Sequence, residues 1–207
     1  MPRVIGEFLV RKTFEGSLDL QREILAGYRD DVRKYAEGMD QARILNVFDH
    51  IAPQLARENK KFKYSDVVRG GRRTSFLEPL EWLEASGIIL KNDLTCSRSY
   101  PLVPYNDEEG SYFKEYICDT GLMFYKFGIE PELFLDPKLK AFLSDDFRGA
   151  LAENSVMQTL RANSVPTYYW MPDDKVGKGE IDFIFQNRDA GLVPVEVKSG
   201  RNVKAAS

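Results

Sequence analysis

The chain has 207 residues, 43% of them hydrophobic, with 29 Lys and Arg against 32 Asp and Glu for a formal charge of -3. This composition suits a globular protein, and its total charge does not advertise a polyanion partner, although phosphates answer to local patches. No apolar run approaches the roughly 20 residues that cross a bilayer, no signal-peptide block opens the chain, and Cys96, Cys118 and the single His50 argue against a Cys/His zinc site and suit reduced thiols in a cytoplasm.

Residues 1–13 show little pattern. Ser17 is placed to cap a helix with Asp19 in its first turn, and Leu18, Leu25, Tyr28, Val32 and Tyr35 recur at helical spacing until Gly38. Residues 1–38 therefore read as an N-terminal helical segment. Asp40 opens a second helix carrying Ile44, Val47, Phe48 and Ile51, which Pro53 is expected to kink or break before Gln54-Leu55-Ala56-Arg57 resumes it.

The densest basic stretch follows, with Lys60, Lys61, Lys63, Arg69, Arg72 and Arg73 opposed only by Glu58 and Asp66 from Arg57 onwards. Most such runs are solvated faces; these six residues are the candidate nucleic-acid contacts. Thr74 or Ser75 is expected to cap a third helix containing Phe76, Leu77, Leu80, Trp82 and Leu83, bent near Pro79 and ended by Gly87. Ile88-Ile89-Leu90 reads as a strand, with Lys91-Asn92-Asp93 as a loop and the stretch through Tyr100-Pro101-Leu102-Val103 returning antiparallel. Three helices and a small hairpin describe a winged helix over 39–105. Its third helix carries Glu78, Glu81 and Glu84, which would repel phosphate. Spacer and protein-docking roles therefore stand beside DNA contact.

Residues 106–207 form the remaining unit. Tyr112-Phe113-Lys114-Glu115-Tyr116-Ile117 reads as a strand, Asp119 or Thr120 as the cap of the next helix, and Ser144 as the start of the longest C-terminal helix. On that helix Glu153 has Ala150, Val156, Met157 and Leu160 for same-face neighbours, where an unpaired carboxylate is costly. Downstream, Gly179-Glu180-Ile181-Asp182-Phe183-Ile184-Phe185 and Leu192-Val193-Pro194-Val195-Glu196-Val197-Lys198 place charges at alternate positions of apolar runs. Strand alternation puts Glu180 with Asp182 on one face and Glu196 with Lys198 on another. A hairpin around Asn187-Arg188-Asp189-Ala190-Gly191 sets Asp182 opposite Glu196 and Glu180 opposite Lys198. Facing carboxylates repel, and a divalent ion relieves the repulsion. A salt-bridged sheet edge explains the same pattern without a metal.

These residues, together with the strand Pro166-Thr167-Tyr168-Tyr169-Trp170, resemble the PD-(D/E)XK nuclease core. More closely, the chain resembles the C-terminal region of bacterial and archaeal AAA-type ATPases, where a domain of unknown function follows the ATPase module. Gly149-Ala150-Leu151-Ala152-Glu153-Asn154, Glu180-Ile181-Asp182-Phe183-Ile184, Val193-Pro194-Val195-Glu196-Val197-Lys198-Ser199, Phe113-Lys114 with Asp119-Thr120-Gly121-Leu122, and Lys61-Phe62-Lys63-Tyr64 carry the likeness. No GxxxxGK[ST] phosphate loop occurs, so no nucleotide site is expected. Because the family's core runs past Lys198 into a further helix and strand, the resemblance implies a C-terminally truncated nuclease-like unit prone to self-association.

The expected class is therefore mixed α/β: a winged helix followed by an incomplete nuclease-like core. The resemblance implies Mg²⁺, with Mn²⁺ able to substitute, held by Asp182, Glu196 and Glu153, and Lys198 orienting a water for phosphodiester cleavage. The alternative is a non-catalytic module that regulates the ATPase or docks it to protein or DNA. No membrane partner is expected.

Overall fold

The computed structural model describes residues 2–107, 110–172, 179–189 and 191–199. The first helix, α1 (Pro2–Arg11), buries no residue, which is why no core-facing stripe was legible there. Helix α2 (Ser17–Tyr35) begins after Gly16 in the left-handed conformation, so Ser17 is its buried first residue rather than its cap. Leu25 and Val32 face the core as expected, whereas Tyr35 is 61% exposed at the helix end.

Asp40 caps α3 (Gln41–Leu55) by accepting the Arg43 N–H at 2.9 Å. Ile44, Val47, Phe48 and Ile51 are buried, as their spacing predicts. The expected break at Pro53 does not occur. The helix continues past Pro53 through Gln54 to Leu55, and the ring removes only the one bond that its N–H would have donated. Helix α4 (Tyr64–Val67) and a 3₁₀ turn (Arg73–Ser75) lead to α5 (Leu77–Ala85). Thr74 and Ser75 lie inside that turn and do not cap α5. Pro79 sits in the first turn of α5, where an N–H has no helical partner to lose, so no bend is required. Gly87 follows with φ 69°, a left-handed geometry suited to ending a helix.

The largest correction concerns the strand that follows. Lys91-Asn92-Asp93 is not a loop but the middle of β1 (Ile89–Thr95), and residues 100–103 do not return as its partner. Residues Asn106–Asp107 (β2) and Gly110–Ser111 (β3) form a separate two-stranded pair. β1 instead pairs antiparallel with β4 (Phe113–Ile117), from Ile89 opposite Ile117 to Asp93 opposite Phe113. The polar centre of β1 is tolerated because each side chain has a partner. Lys91 pairs with Asp93 at 2.9 Å, and the fully buried Asn92 donates to the Asp182 carbonyl at 3.3 Å. The dividing line expected at 105 thus runs through a single sheet.

Four helices follow: α6 (Gly121–Lys126), α7 (Pro131–Leu135), α8 (Pro137–Lys140) and α9 (Asp145–Ala162). Helix α9 starts at Ser144 as expected, and Ser144 is its cap, accepting the Phe147 N–H at 3.2 Å. Three strands complete the sheet: β5 (Thr167–Trp170), β6 (Ile181–Asn187) and β7 (Gly191–Val195). The order is β4-β1-β5-β6-β7, with β1 and β5 parallel and the other neighbours antiparallel. The architecture is mixed α/β. All five residues of β4 are buried, with α3 and α9 packed against the strand. Among the described residues no helix is long and apolar enough to cross a membrane. The chain end at 200–207, on which the expected truncated edge depends, lies outside those residues.

Candidate functional site

The β6–β7 hairpin has the register expected from its sequence. Phe183 stands opposite Val195 and Asn187 opposite Gly191, and one further step sets Asp182 against Glu196. Glu196, Val197 and Lys198 lie just beyond β7, and the Val197 N–H donates to Asp182 Oδ2 at 2.8 Å. Glu153 comes from α9 with 2% of its surface exposed. Helix and hairpin therefore bring three of the expected carboxylates into one electrostatic neighbourhood. Burial raises the Asp182 pKa, and the charges of Glu153 and Glu196 add to that, against the pull of the Val197 N–H and Lys114.

The centre of this neighbourhood is held by a residue that was not singled out. Lys114 on β4 has a side chain 1% exposed, and its Nζ lies 2.6 Å from Glu180 Oε1, 3.6 Å from Glu153 Oε2 and 3.8 Å from Asp182 Oδ1. Its ammonium also lies 5.2 Å from the centre of the buried Tyr169 ring. Burial opposes the charge on Lys114, but the attraction of Glu153, Glu180 and Asp182 outweighs it and raises the pKa. Of the two carboxylates open to Lys198 on the hairpin, Glu180 and Glu196, Glu180 is taken by Lys114. Lys198 pairs with Glu196 instead, both side chains being well exposed. The Lys198 pKa is raised by that hydrogen bond, and the charges of Glu196, Asp182 and Glu153 act in the same direction.

Glu153 has a second cation. Lys60, the first residue of the basic run, turns inward and pairs with Glu153 Oε1. Its own side chain is 18% exposed. Tyr116 Oη donates weakly to Glu153 Oε2 at 3.4 Å. Burial, then the neighbouring Glu153, Asp182 and Glu180, push the Tyr116 pKa well up, so its hydroxyl remains protonated.

Whether these donors suit Mg²⁺ is decided by their arrangement. Three carboxylates surround an ammonium, and the exposed Glu196 is engaged by Lys198. Among the described residues no group of three or more His, Cys, Asp or Glu is placed to hold a metal ion. As arranged, the side chains fit an internal lysine counter-charge better than a hard cation seeking about six oxygen ligands.

The rest of the basic run divides. Lys61, Lys63 and Arg73 line a cleft of about 310 Å³ beside β4, while Arg69 and Arg72 are exposed outside its lining. The signal for Lys114 was a lysine inside an otherwise well-buried strand, two positions from the inward Tyr116. Glu153 supplied the matching anion on the apolar face of α9.

The fold and site define a mixed α/β protein whose sheet and longest C-terminal helix share a lysine-centred carboxylate cluster. The chain belongs to the family described as Domain of unknown function (DUF8612), whose model matches residues 1–133. Residues 148–207, which carry Glu153, Asp182 and Glu196, are similar to a second one, Domain of unknown function (DUF4143). No curated protein and no solved structure matches the chain.

Proposed function

We propose that this chain is a non-catalytic docking module of an AAA-type ATPase, with the charged cluster serving to join helix, sheet and basic segment. The observation that carries this reading is the Lys114 ammonium at the centre of Glu153, Glu180 and Asp182, with Lys60 on the other oxygen of Glu153. Protein cations already answer the carboxylate repulsion that a metal would otherwise relieve. The association with an ATPase is supported by the second matched domain, which typically occurs with AAA ATPases. This sequence has no GxxxxGK[ST] phosphate-loop motif, which supports reading nucleotide hydrolysis as the task of a partner.

A second reading, Mg²⁺-dependent phosphodiesterase, draws on one observation. Asp182 is crowded by Glu153 and Glu196 from two other segments, which raises its pKa and favours any added positive charge. Calorimetric titration with Mg²⁺ and Mn²⁺, beside a plasmid-cleavage time course, separates the two. The docking reading expects no saturable metal binding and no cleavage, and a complex on size exclusion with an ATPase module encoded beside the chain. Saturable binding with cleavage that Asp182→Ala abolishes would instead establish the phosphodiesterase.

A further inference from the structure

The basic run offered candidate nucleic-acid contacts within the expected winged helix, beside the readings of a solvated or protein-docking face. Three of its side chains, Lys61, Lys63 and Arg73, lie on a concave surface. Lys61 forms an isolated bridge with Lys114, and the Phe62 N–H donates to the Phe113 carbonyl at 3.0 Å, so this segment lies along the open edge of β4. Gln54 fixes the next residue from both sides. Its Oε1 accepts the Lys63 N–H at 2.7 Å, and its Nε2 donates to the Lys63 carbonyl at 3.2 Å. Gly71 lets the opposite wall approach, since a Cβ there would sit 2.6 Å from the Tyr64 carbonyl oxygen and 2.8 Å from the Phe76 ring.

The resulting cleft is lined by Lys61, Lys63 and Arg73 together with Phe62, Tyr64 and Tyr112. The aromatic wall is held by ring contacts. Phe62 stacks on Phe113 at 5.6 Å between ring centres, and Tyr64 stacks on Phe76 at 5.6 Å. Arg73 acts on the Tyr64 hydroxyl, lowering a pKa that burial raises. Cations beside rigid rings recognise an anion joined to a flat π-system. A nucleotide within a single strand has that combination, with phosphate for the cations and base for the rings. The volume of about 310 Å³ falls at the small end of ligand pockets, a scale suited to one nucleotide rather than to a long groove.

We propose that this cleft binds single-stranded nucleic acid, seating a base on its aromatic wall while Lys61, Lys63 and Arg73 contact adjoining phosphates. A duplex fits poorly for two reasons. Its bases are stacked out of reach of a concave wall. The exposed Glu78, Glu81 and Glu84 of α5 also repel its backbone. The cleft adjoins the Lys114 cluster but shares no lining residue with it, so the proposal stands whether or not the chain docks on an ATPase.

Fluorescence anisotropy with the whole chain tests it, using a labelled oligo(dT), a duplex of equal length and an abasic oligonucleotide across a salt series. Oligo(dT) is expected to bind best, with a log–log salt slope near -2 for three phosphates at about 0.7 each. The abasic strand is expected to bind about tenfold more weakly for each stacked base lost. Lys63→Glu and Arg73→Glu should each weaken binding about tenfold and flatten the slope by about 0.7. Arg188→Glu, on the distant β6–β7 turn, should bind like the unmodified chain, and thermal melts verify that each variant folds. The proposal is overturned by duplex binding as tight as oligo(dT), by an abasic strand binding equally well, or by an Arg188→Glu loss matching that of the cleft variants. Failure of oligo(dT) to bind at low salt also overturns it.

Discussion

A lysine ammonium shut away from water is tolerated only when anions replace the lost hydration. Lys114 meets that condition through Glu153, Glu180 and Asp182, and its neighbours depend on it in return. Lys114→Met should destabilise the fold by about 3 kcal/mol, because the buried Glu153 loses one of its two cations and the partly buried Asp182 loses a counter-charge. Adding Glu153→Gln should restore part of that loss, a coupling readable by urea unfolding of the two single variants and the double variant. Purely additive effects would mean that the two groups do not act as a pair. On the same strand Glu115 is 3% exposed and neither carboxylate oxygen has a hydrogen-bond partner among the described residues. Burial, with the nearby charge of Glu84, raises its pKa well above 4.5, against the pull of Lys91 and Arg161. The folded chain then binds the Glu115 proton more tightly than the unfolded chain. Stability from this group is complete below the unfolded pKa and declines as pH rises towards the folded one. Glu115→Gln is therefore expected to melt higher than the unmodified chain at pH 8, with the difference shrinking towards pH 4. A difference independent of pH would show that Glu115 does not titrate in this way.

Between elements, side-chain amides make several of the joins. Gln54 at the end of α3 holds Lys63. Asn154 of α9 accepts the Ile117 N–H at 2.8 Å, and donates to the Ile117 carbonyl and to Thr120 Oγ1, each at 2.9 Å. Asn154 thus ties α9 to the end of β4 and places Glu153, its neighbour, over Lys114. Asn154→Ala should cost about 3 kcal/mol, since it leaves two buried backbone groups without partners. Chemical denaturation measures this directly, and a loss below 1 kcal/mol would indicate that water or another group takes over. Local patterns found the elements whose causes are local: the α3 stripe, the helix starts at Ser144 and Asp40 and the β6–β7 register. They misjudged β1 because Lys91, Asn92 and Asp93 look like a turn until distant partners such as Asp182 and Phe113 are in place. Lys114 went unrecognised as the centre of the cluster for the same reason. Its anions come from α9, from β6 and from the residue just before β6, 39 or more positions away. Glu153, Asp182 and Glu196 were legible because each breaks an apolar pattern within its own segment. Lys60 was legible as a charge but not as an inward one, because only the packed fold brings it to Glu153.

At the scale of the molecule, the position of β1 decides how the chain unfolds. The strand follows α5 directly yet lies between β4 and β5, so the helical region and the C-terminal strands complete one another's sheet. Lys60–Glu153 and Asn92–Asp182 cross the same line through side chains. A unit ending near residue 105 would leave β1 without either strand partner, and the β5–β7 strands without the neighbour that covers their edge. Separate folding of the two parts would therefore expose unpaired strand edges. The two tryptophans, Trp82 on α5 and Trp170 on β5, report one part each. Single-tryptophan variants made with Trp82→Phe and Trp170→Phe should unfold in urea at the same midpoint by fluorescence as by far-UV circular dichroism, after correction for any stability change. Coincident transitions are the mark of all-or-none behaviour. If Trp82 fluorescence changes at a urea concentration where Trp170 is still native, the shared sheet does not couple the two parts, and the helical region would have to be treated as an independent unit.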